Sequence, residues 1–260
     1  MKIVTLSNFK GGVSKSTTAY HLATGLALRG YRVVLVDTDP QAHATIMCGL
    51  KEEPAFHDFL VRQAPYKDVL RPVEPSHYSP EGMTGKGQLF VIPSDRESRV
   101  IPLNIDDPFI MHDRIHELET WAEIVLIDTS PTISLLQTTL FAATDAMIYP
   151  TKCEYLSYDG LRKSLEHRSR SQKLRENHGL APVQIMGILP TMFRRKTLEQ
   201  IELLESLQSN FGDKVWEPIA LSTIWSEASR MKRPVFSFAP GSKPATEAWH
   251  MVDTFIARMS

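Results

Sequence analysis

The sequence predicts a doubly wound α/β fold, a mostly parallel sheet with helices on both faces. Three observations predict it. Short apolar runs recur along the chain, helical patterns separate them, and a glycine-containing turn joins the first run to the first helix. Runs this short and uninterrupted suit strands buried on both faces. Their alternation with helices is the pattern of a parallel sheet covered on both sides. No repeat or linker divides the chain, so residues 1–260 read as a single domain.

The strands are read in order as IVTLS (3–7), VVLVD (33–37), LFVIPS (89–94), IVLID (124–128), AMIYP (146–150) and QIMGILP (184–190). The first helix follows Ser16-Thr17, with Ala19, Leu22, Ala23, Leu26 and Ala27 at helical spacing and Gly30 as its stop. Further helices are expected over 108–121, 132–143, 155–177, 195–210 and 244–258. The stretch 71–88 is rich in proline, glycine and serine and reads as a surface loop.

The formal net charge is −1, so any attraction to nucleic acid or anionic lipid must come from a local patch. Cys48 and Cys153 are too few for a disulfide framework or a four-cysteine metal site, which fits a reduced, cytoplasmic setting. The strand-like start after Met1-Lys2 predicts no signal peptide, and no apolar run approaches about 18 residues. The protein is expected to be soluble.

Residues 8–18, NFKGGVSKSTT, fall between the first strand and the first helix and nearly match a phosphate-binding loop. The general pattern Gly-x-x-x-x-Gly-Lys-Ser/Thr would put glycines where Phe9 and Ser14 stand. The setting still favours an anion, because a helix N-terminus offers free N–H groups and the positive end of its dipole. Gly11 and Gly12 allow close backbone approach, Lys15 can reach the β- and γ-phosphates, and the Ser16 hydroxyl can ligate Mg²⁺. The alternative is a plain turn with solvated lysines. Against it, Lys10 and Lys15 sit at the wrong end of the dipole, each at a cost of about 0.3–1 kcal/mol unless an anion answers them. A left-handed Ser14 would cost about 1–2 kcal/mol, small against the roughly 8 kcal/mol of micromolar nucleotide binding.

Lys10-Gly11-Gly12-Val13-Ser14-Lys15-Ser16-Thr17 resembles the deviant Walker A motif, K-G-G-x-x-K-S/T, of the ParA/MinD ATPases, a P-loop NTPase family. VVLVDTDPQ (33–41) resembles its Walker A′ strand and IVLIDTSP (124–131) its Walker B strand. The resemblance continues through PTKCEYLSYDGL (150–161), GILPTMFRR (187–195) and RPVFSFAPGSKPATEAW (233–249), covers essentially the whole chain, and favours the ParA branch. It implies a nucleotide site at residues 10–17, ATP and Mg²⁺ as cofactors, and a homodimer when ATP is bound. Lys10 would then reach across the interface to the partner's ATP. It implies adenine near Pro190, Thr191 and Met192; Met192 is flexible enough to cover a base, although a methionine after a strand is more often core.

Asp39 could orient the attacking water and stand near the metal, Asp128 could hold Mg²⁺ through its water shell, and Asp37 could order the loop. Any one of these could instead be a simple turn cap. The chemistry expected is ATP hydrolysis by positioning and charge neutralisation through Lys10 and Lys15, slow until a partner stimulates it.

Residues 151–233 carry 14 Lys/Arg against ten acids, a local +4, which leaves −5 for the rest. Such a patch would bind phosphate backbones without reading bases. The resemblance implies nonspecific, nucleoid DNA as the partner, through Arg194, Arg195, Lys196, Arg230, Lys232 and Arg233; a solvated helix face is the alternative. It further implies a ParB-like or adaptor protein that stimulates hydrolysis, and a cargo that is a plasmid or chromosome complex or a protein assembly such as a carboxysome. With no extension before the first strand, an N-terminal helix-turn-helix is expected to be absent. The last helix has only Arg258 as a strong cation and reads as core, so no membrane partner is expected.

His112 and His116 stand four apart but lack the glutamate of H-E-x-x-H. Lys152 is either a second lysine near the nucleotide or a solvated loop residue. The rival readings are a membrane-cycling MinD-like ATPase, a nucleotide-dependent electron-transfer enzyme for which Cys48 and Cys153 do not resemble cluster ligands, and an ATP-gated DNA-binding scaffold with little turnover.

Overall fold

The computed structural model describes residues 1–83 and 85–259; Thr84, inside the 71–88 loop expected from sequence, and Ser260 lie outside the described residues. Among the described residues the strands are β1 (Lys2–Leu6), β2 (Arg32–Asp37), β3 (Arg71–Val73), β4 (Gln88–Ile92), β5 (Ile124–Asp128), β6 (Ala146–Lys152) and β7 (Gln184–Thr191). They form one sheet in the order β3-β4-β2-β5-β1-β6-β7. All neighbours run parallel except β3 and β4. The doubly wound fold expected from the apolar runs is therefore present. The short antiparallel β3 corrects the reading of 71–88 as loop throughout: its Arg-Pro-Val sequence offers too short an apolar signal, and Pro72 is tolerated because β3 is an edge strand.

The helices in chain order are α1 (Lys15–Leu28), α2 (His43–Met47), α3 (Ala55–Leu60), α4 (Tyr66–Val69), α5 (Pro75–Tyr78), α6 (Ile101–Asn104), α7 (Ile110–His116), α8 (Leu135–Ala143), α9 (Tyr155–Asn177), α10 (Leu198–Phe211), α11 (Thr223–Arg230), α12 (Val235–Phe238) and α13 (Lys243–Ala257). Successive residues of the central strands feed opposite faces, as the pleat requires. Val33 and Leu35 join the core beneath α1 and α13, while Val34 and Val36 join the core beneath α3, α7 and α8. A third cluster, around Met147, Tyr149 and Ile188, lies under α9 and α10.

Helix α1 is buried nearly all round because it lies between the sheet and α13. Gly25 permits that crossing, since a Cβ there would run into Val252 and Phe236. The apolar stripe of α13, including Ala248, Met251, Val252 and Phe255, is buried in the same core. No helix among the described residues is long and apolar enough to cross a membrane.

The register sets the site. Leu6 pairs with Asp128 and Asp37 pairs with Asp128, so β1, β2 and β5 end level with one another. Their carboxyl ends, with the loops that follow, form the crevice where open α/β sheets bind ligands.

Candidate functional site

At the end of β1 the chain turns through Gly12 (φ 70°) and Ser14 (φ 68°) before entering α1. Both residues are left-handed, so Ser14 holds the conformation for which the general phosphate-loop pattern supplies glycine. Ser14 is also the N-cap of α1, yet its side chain makes no cap hydrogen bond, and the first turn carries no acid. The helix thus begins with N–H groups open to an anion. A Cβ on Gly11 or Gly12 would meet nothing within 4 Å, so the loop faces open space.

Lys15 is only 6% exposed. Its Nζ donates to the carbonyls of Asn8 (3.1 Å) and Lys10 (3.3 Å), which folds the side chain back along the loop. Burial lowers its pKa, and the Asp128 and Asp39 charges oppose that shift. Lys10 is half-buried, and its ammonium makes no hydrogen bond or ion pair among the described residues. It does not line the cavity that the rest of the loop forms.

That cavity encloses about 1020 Å³ and is lined by Gly11, Gly12, Ser14, Lys15, Ser16 and Thr17, by Thr38 and Asp39 after β2, by Ser130–Thr132 after β5, and by Met192, Ser229 and Arg230. Val13 is buried behind the loop, where its carbonyl accepts from the Thr191 hydroxyl at 3.2 Å. Asp39 accepts the Gln41 N–H at 2.9 Å through one oxygen. Asp37, fully buried, accepts from Thr45 N and Oγ1 (both 2.8 Å) and from Asp39 N (3.1 Å). It orders the loop that carries Asp39. Burial pushes its carboxyl up to about 6 against those bonds.

Asp128 is different. It is fully buried at the end of β5 and neither carboxylate oxygen has a hydrogen-bond partner. Burial, then the Asp37 charge, pushes its carboxyl up to about 8, with the nearby Ser16 hydroxyl and Lys15 pulling the other way. A carboxylate left orphaned beside a serine hydroxyl and a second carboxylate is an incomplete oxygen donor set. Ser16, Asp39 and Asp128 fit a hard divalent cation that keeps part of its water shell. The uncapped helix and Lys15 fit phosphate.

A second cavity, of about 350 Å³, adjoins the first and shares Ser14, Thr17, Met192 and Ser229 with it. Its walls include His21, Thr191, Ile219, Trp225 and Ser226. The structure thus brings Thr191 and Met192 to an apolar slot beside the phosphate loop, whereas Pro190 lies within β7 and lines neither cavity. Sequence reading missed Trp225 and Ser229 because α11 has no strong apolar run. It also missed Asn8, which is fully buried and whose Nδ2 donates to Pro150 O at 2.9 Å while its Oδ1 accepts from Lys10 N at the same distance. The signal for Asn8 was a polar residue continuing a buried strand.

The basic candidates separate. Arg194, Arg195 and Lys196 are exposed after β7, where the Phe193–Ile219 and Leu221–Phe193 backbone bonds hold Phe193 beside the segment leading into α11, and Arg195 lines a cavity with Trp216, Ile219 and His250 of α13. Arg230, the last residue of α11, and Lys232 just beyond it are exposed. Arg230 lines the large cavity, and Arg233 is half-buried with its Nε bonded to Ser237 Oγ (3.2 Å). On α9, Arg162 and Lys163 pair with Asp159, and Arg168 and Arg175 are tied to backbone carbonyls. Lys152 ends β6 opposite Thr191. His112 and His116 stack 4.3 Å apart, but among the described residues no group of three or more His, Cys, Asp or Glu could hold a metal ion.

A family model described as an AAA domain matches residues 1–181. The sporulation initiation inhibitor protein Soj of Bacillus subtilis is 29% identical over 94% of this chain and 94% of its own. The chromosome partitioning protein ParA of Myxococcus xanthus is 30% identical over 93% of this chain and 83% of its own. Among solved structures, apo McdA from Cyanothece superposes with a TM-score of 0.79 at 18% identity, over 98% of this chain and 99% of that one, a likeness of fold.

Proposed function

The chain belongs to the ParA/MinD family of P-loop ATPases, and from that premise we propose that it binds Mg-ATP, closes as a nucleotide-sandwich homodimer, binds nonspecific DNA in that state, and is released when a partner protein stimulates hydrolysis. The observation that carries this reading is the division of labour between two lysines. Lys15 is buried within its own phosphate loop, whereas Lys10 lines no part of its own cavity and leaves its ammonium unengaged among the described residues. A lysine so placed suits the phosphates of a second subunit.

In this reading the α1 N-terminus and Lys15 take the β- and γ-phosphates, and the slot between Thr191, Met192 and Trp225 takes the adenine. Mg²⁺, held by Ser16 with Asp39 and Asp128, supplies charge neutralisation at the phosphates. Asp39, anchored by Gln41 N and by the Asp37-ordered loop, orients water. The name of the Myxococcus relative, a chromosome partitioning protein, supports segregation or positioning of a cargo with a ParB-like or adaptor partner.

Sedimentation velocity with Mg-ATP, Mg-ADP and no nucleotide, beside ATP hydrolysis, tests the reading. An Asp39→Ala protein should accumulate as an ATP-bound dimer that does not turn over. An Asp39→Ala protein that hydrolyses ATP normally removes Asp39 from its role, and one that stays monomeric with ATP removes the sandwich.

A further inference from the structure

We propose that the first turns of α9 hold the backbone of Lys10, with Gly160 and Ser164 as positioning residues for the Lys10 ammonium; the proposal rests on the role given to Lys10 above. Gly160 meets the phosphate loop with no room for a side chain. A Cβ there would stand 2.7 Å from Asn8 Oδ1, 2.8 Å from Lys10 Cβ and 3.1 Å from Lys10 N. One turn on, Ser164 Oγ accepts the Phe9 N–H at 3.0 Å and donates to Gly160 O at 2.8 Å. A further turn on, the His167 ring stands at right angles to the Phe9 ring, with centroids 5.4 Å apart. Positions 160, 164 and 167 share one face of a helix, and that face contacts three consecutive residues, Asn8, Phe9 and Lys10.

The other side of the same segment is fixed by Asn8, bonded to Pro150 O at the end of β6 and to Lys10 N. Residues 8–10 are therefore gripped between β6 and α9. Glycine is unfavourable inside a helix relative to alanine, and its presence at 160 is explained by this close approach. A lysine side chain has four rotatable carbons, so its reach into another subunit depends on where its Cα and Cβ are held. A misplacement on the order of 1 Å can cost about a hundredfold in rate.

The test compares Gly160→Ala, Ser164→Ala and Ser164→Thr with wild type, each also in a Lys10→Ala background. It reads turnover at saturating Mg-ATP, the affinity for a fluorescent ATP analogue, and the melting temperature. Gly160→Ala and Ser164→Ala should lower turnover tenfold or more while affinity stays within threefold, and Ser164→Thr, which keeps the hydroxyl, should retain turnover. In the Lys10→Ala background they should add less than a twofold loss. Ser164→Ala carries the result if Gly160→Ala does not fold. Turnover unchanged in both variants, a loss that persists undiminished without Lys10, or an affinity that falls as far as turnover would overturn the proposal. If Lys10→Ala itself hydrolyses at the wild-type rate, the role of Lys10 falls and this proposal falls with it. If Lys10→Ala is inactive and both α9 variants are not, only the positioning proposal falls.

Discussion

Ser14 occupies a left-handed backbone that an L side chain enters at a cost of about 1–2 kcal/mol, and Gly12 beside it reaches the same region freely. Replacing Ser14 by glycine removes that strain and adds the glycine's unfolded-state entropy, about 0.5–1 kcal/mol the other way. Ser14→Gly should therefore raise stability by up to about 1.5 kcal/mol, read from urea denaturation midpoints, with nucleotide affinity retained; a destabilised Ser14→Gly would contradict the strain. Lys15→Ala removes the buried ammonium that spans Asn8 O and Lys10 O. ATP affinity should fall at least a hundredfold in titration calorimetry, about 2.7 kcal/mol; retained micromolar binding would remove the phosphate-loop reading. Residues 10–17, with Asp37, Asp39 and Asp128, stood out in the sequence because each motif is local and ends a readable strand. Asn8 did not, because its partner Pro150 is 142 positions away and no local spacing announces that contact.

At the scale of elements, α1 is the hub, and His21 ties it to α12. The His21 Nδ1 donates to Thr17 O at 2.7 Å and its Nε2 accepts the Val235 N–H at 3.1 Å, which needs the neutral ring. Burial pulls its pKa down to about 4 from 6.5. The unfolded chain takes up this proton near pH 6.5 and the folded chain only near 4. The stabilisation is thus complete above about pH 6.5 and is lost as pH falls through that window. Between pH 7 and 5 it should fall by about 2 kcal/mol in chemical denaturation, a slope missing from His21→Phe. An identical slope in both proteins would place the titration elsewhere. Long, strongly patterned elements were readable in the sequence, as with α9 at 155–177. Edge strand β3 and helix α11 were not: three residues with a proline carry no period, and α11 is only eight residues long and packs through Trp225 and Ala228 rather than an apolar run.

At the scale of the whole molecule, several of the exposed large apolar side chains stand next to residues that line the cavity. Ile133 (62% exposed) and Leu135 flank residues that line it, Leu103 follows lining Pro102, and Met231 follows lining Arg230. Tyr155 and Leu156 (63%) are exposed just past the end of β6 at the same edge of the sheet. Apolar side chains clustered at one mouth mark an interaction surface, and a second copy of the chain is the partner the dimer reading requires. Leu156→Asp combined with Ile133→Asp should block ATP-dependent dimerisation in sedimentation while leaving the monomer's melting temperature within about 2 °C, because both side chains are exposed. Dimers that persist would place the interface elsewhere. The charge asymmetry was legible in the sequence, but its disposition was not, since half of the α9 cations named above are spent on backbone carbonyls while Arg194, Arg195, Lys196, Arg230 and Lys232 stay exposed. The most direct measurement of the central claim is a gel-shift titration of a random-sequence DNA duplex with Mg-ATP, Mg-ADP and no nucleotide, at two salt concentrations. The account predicts binding with ATP alone, weakened at higher salt; equal binding in all three states, or none with ATP, would contradict it.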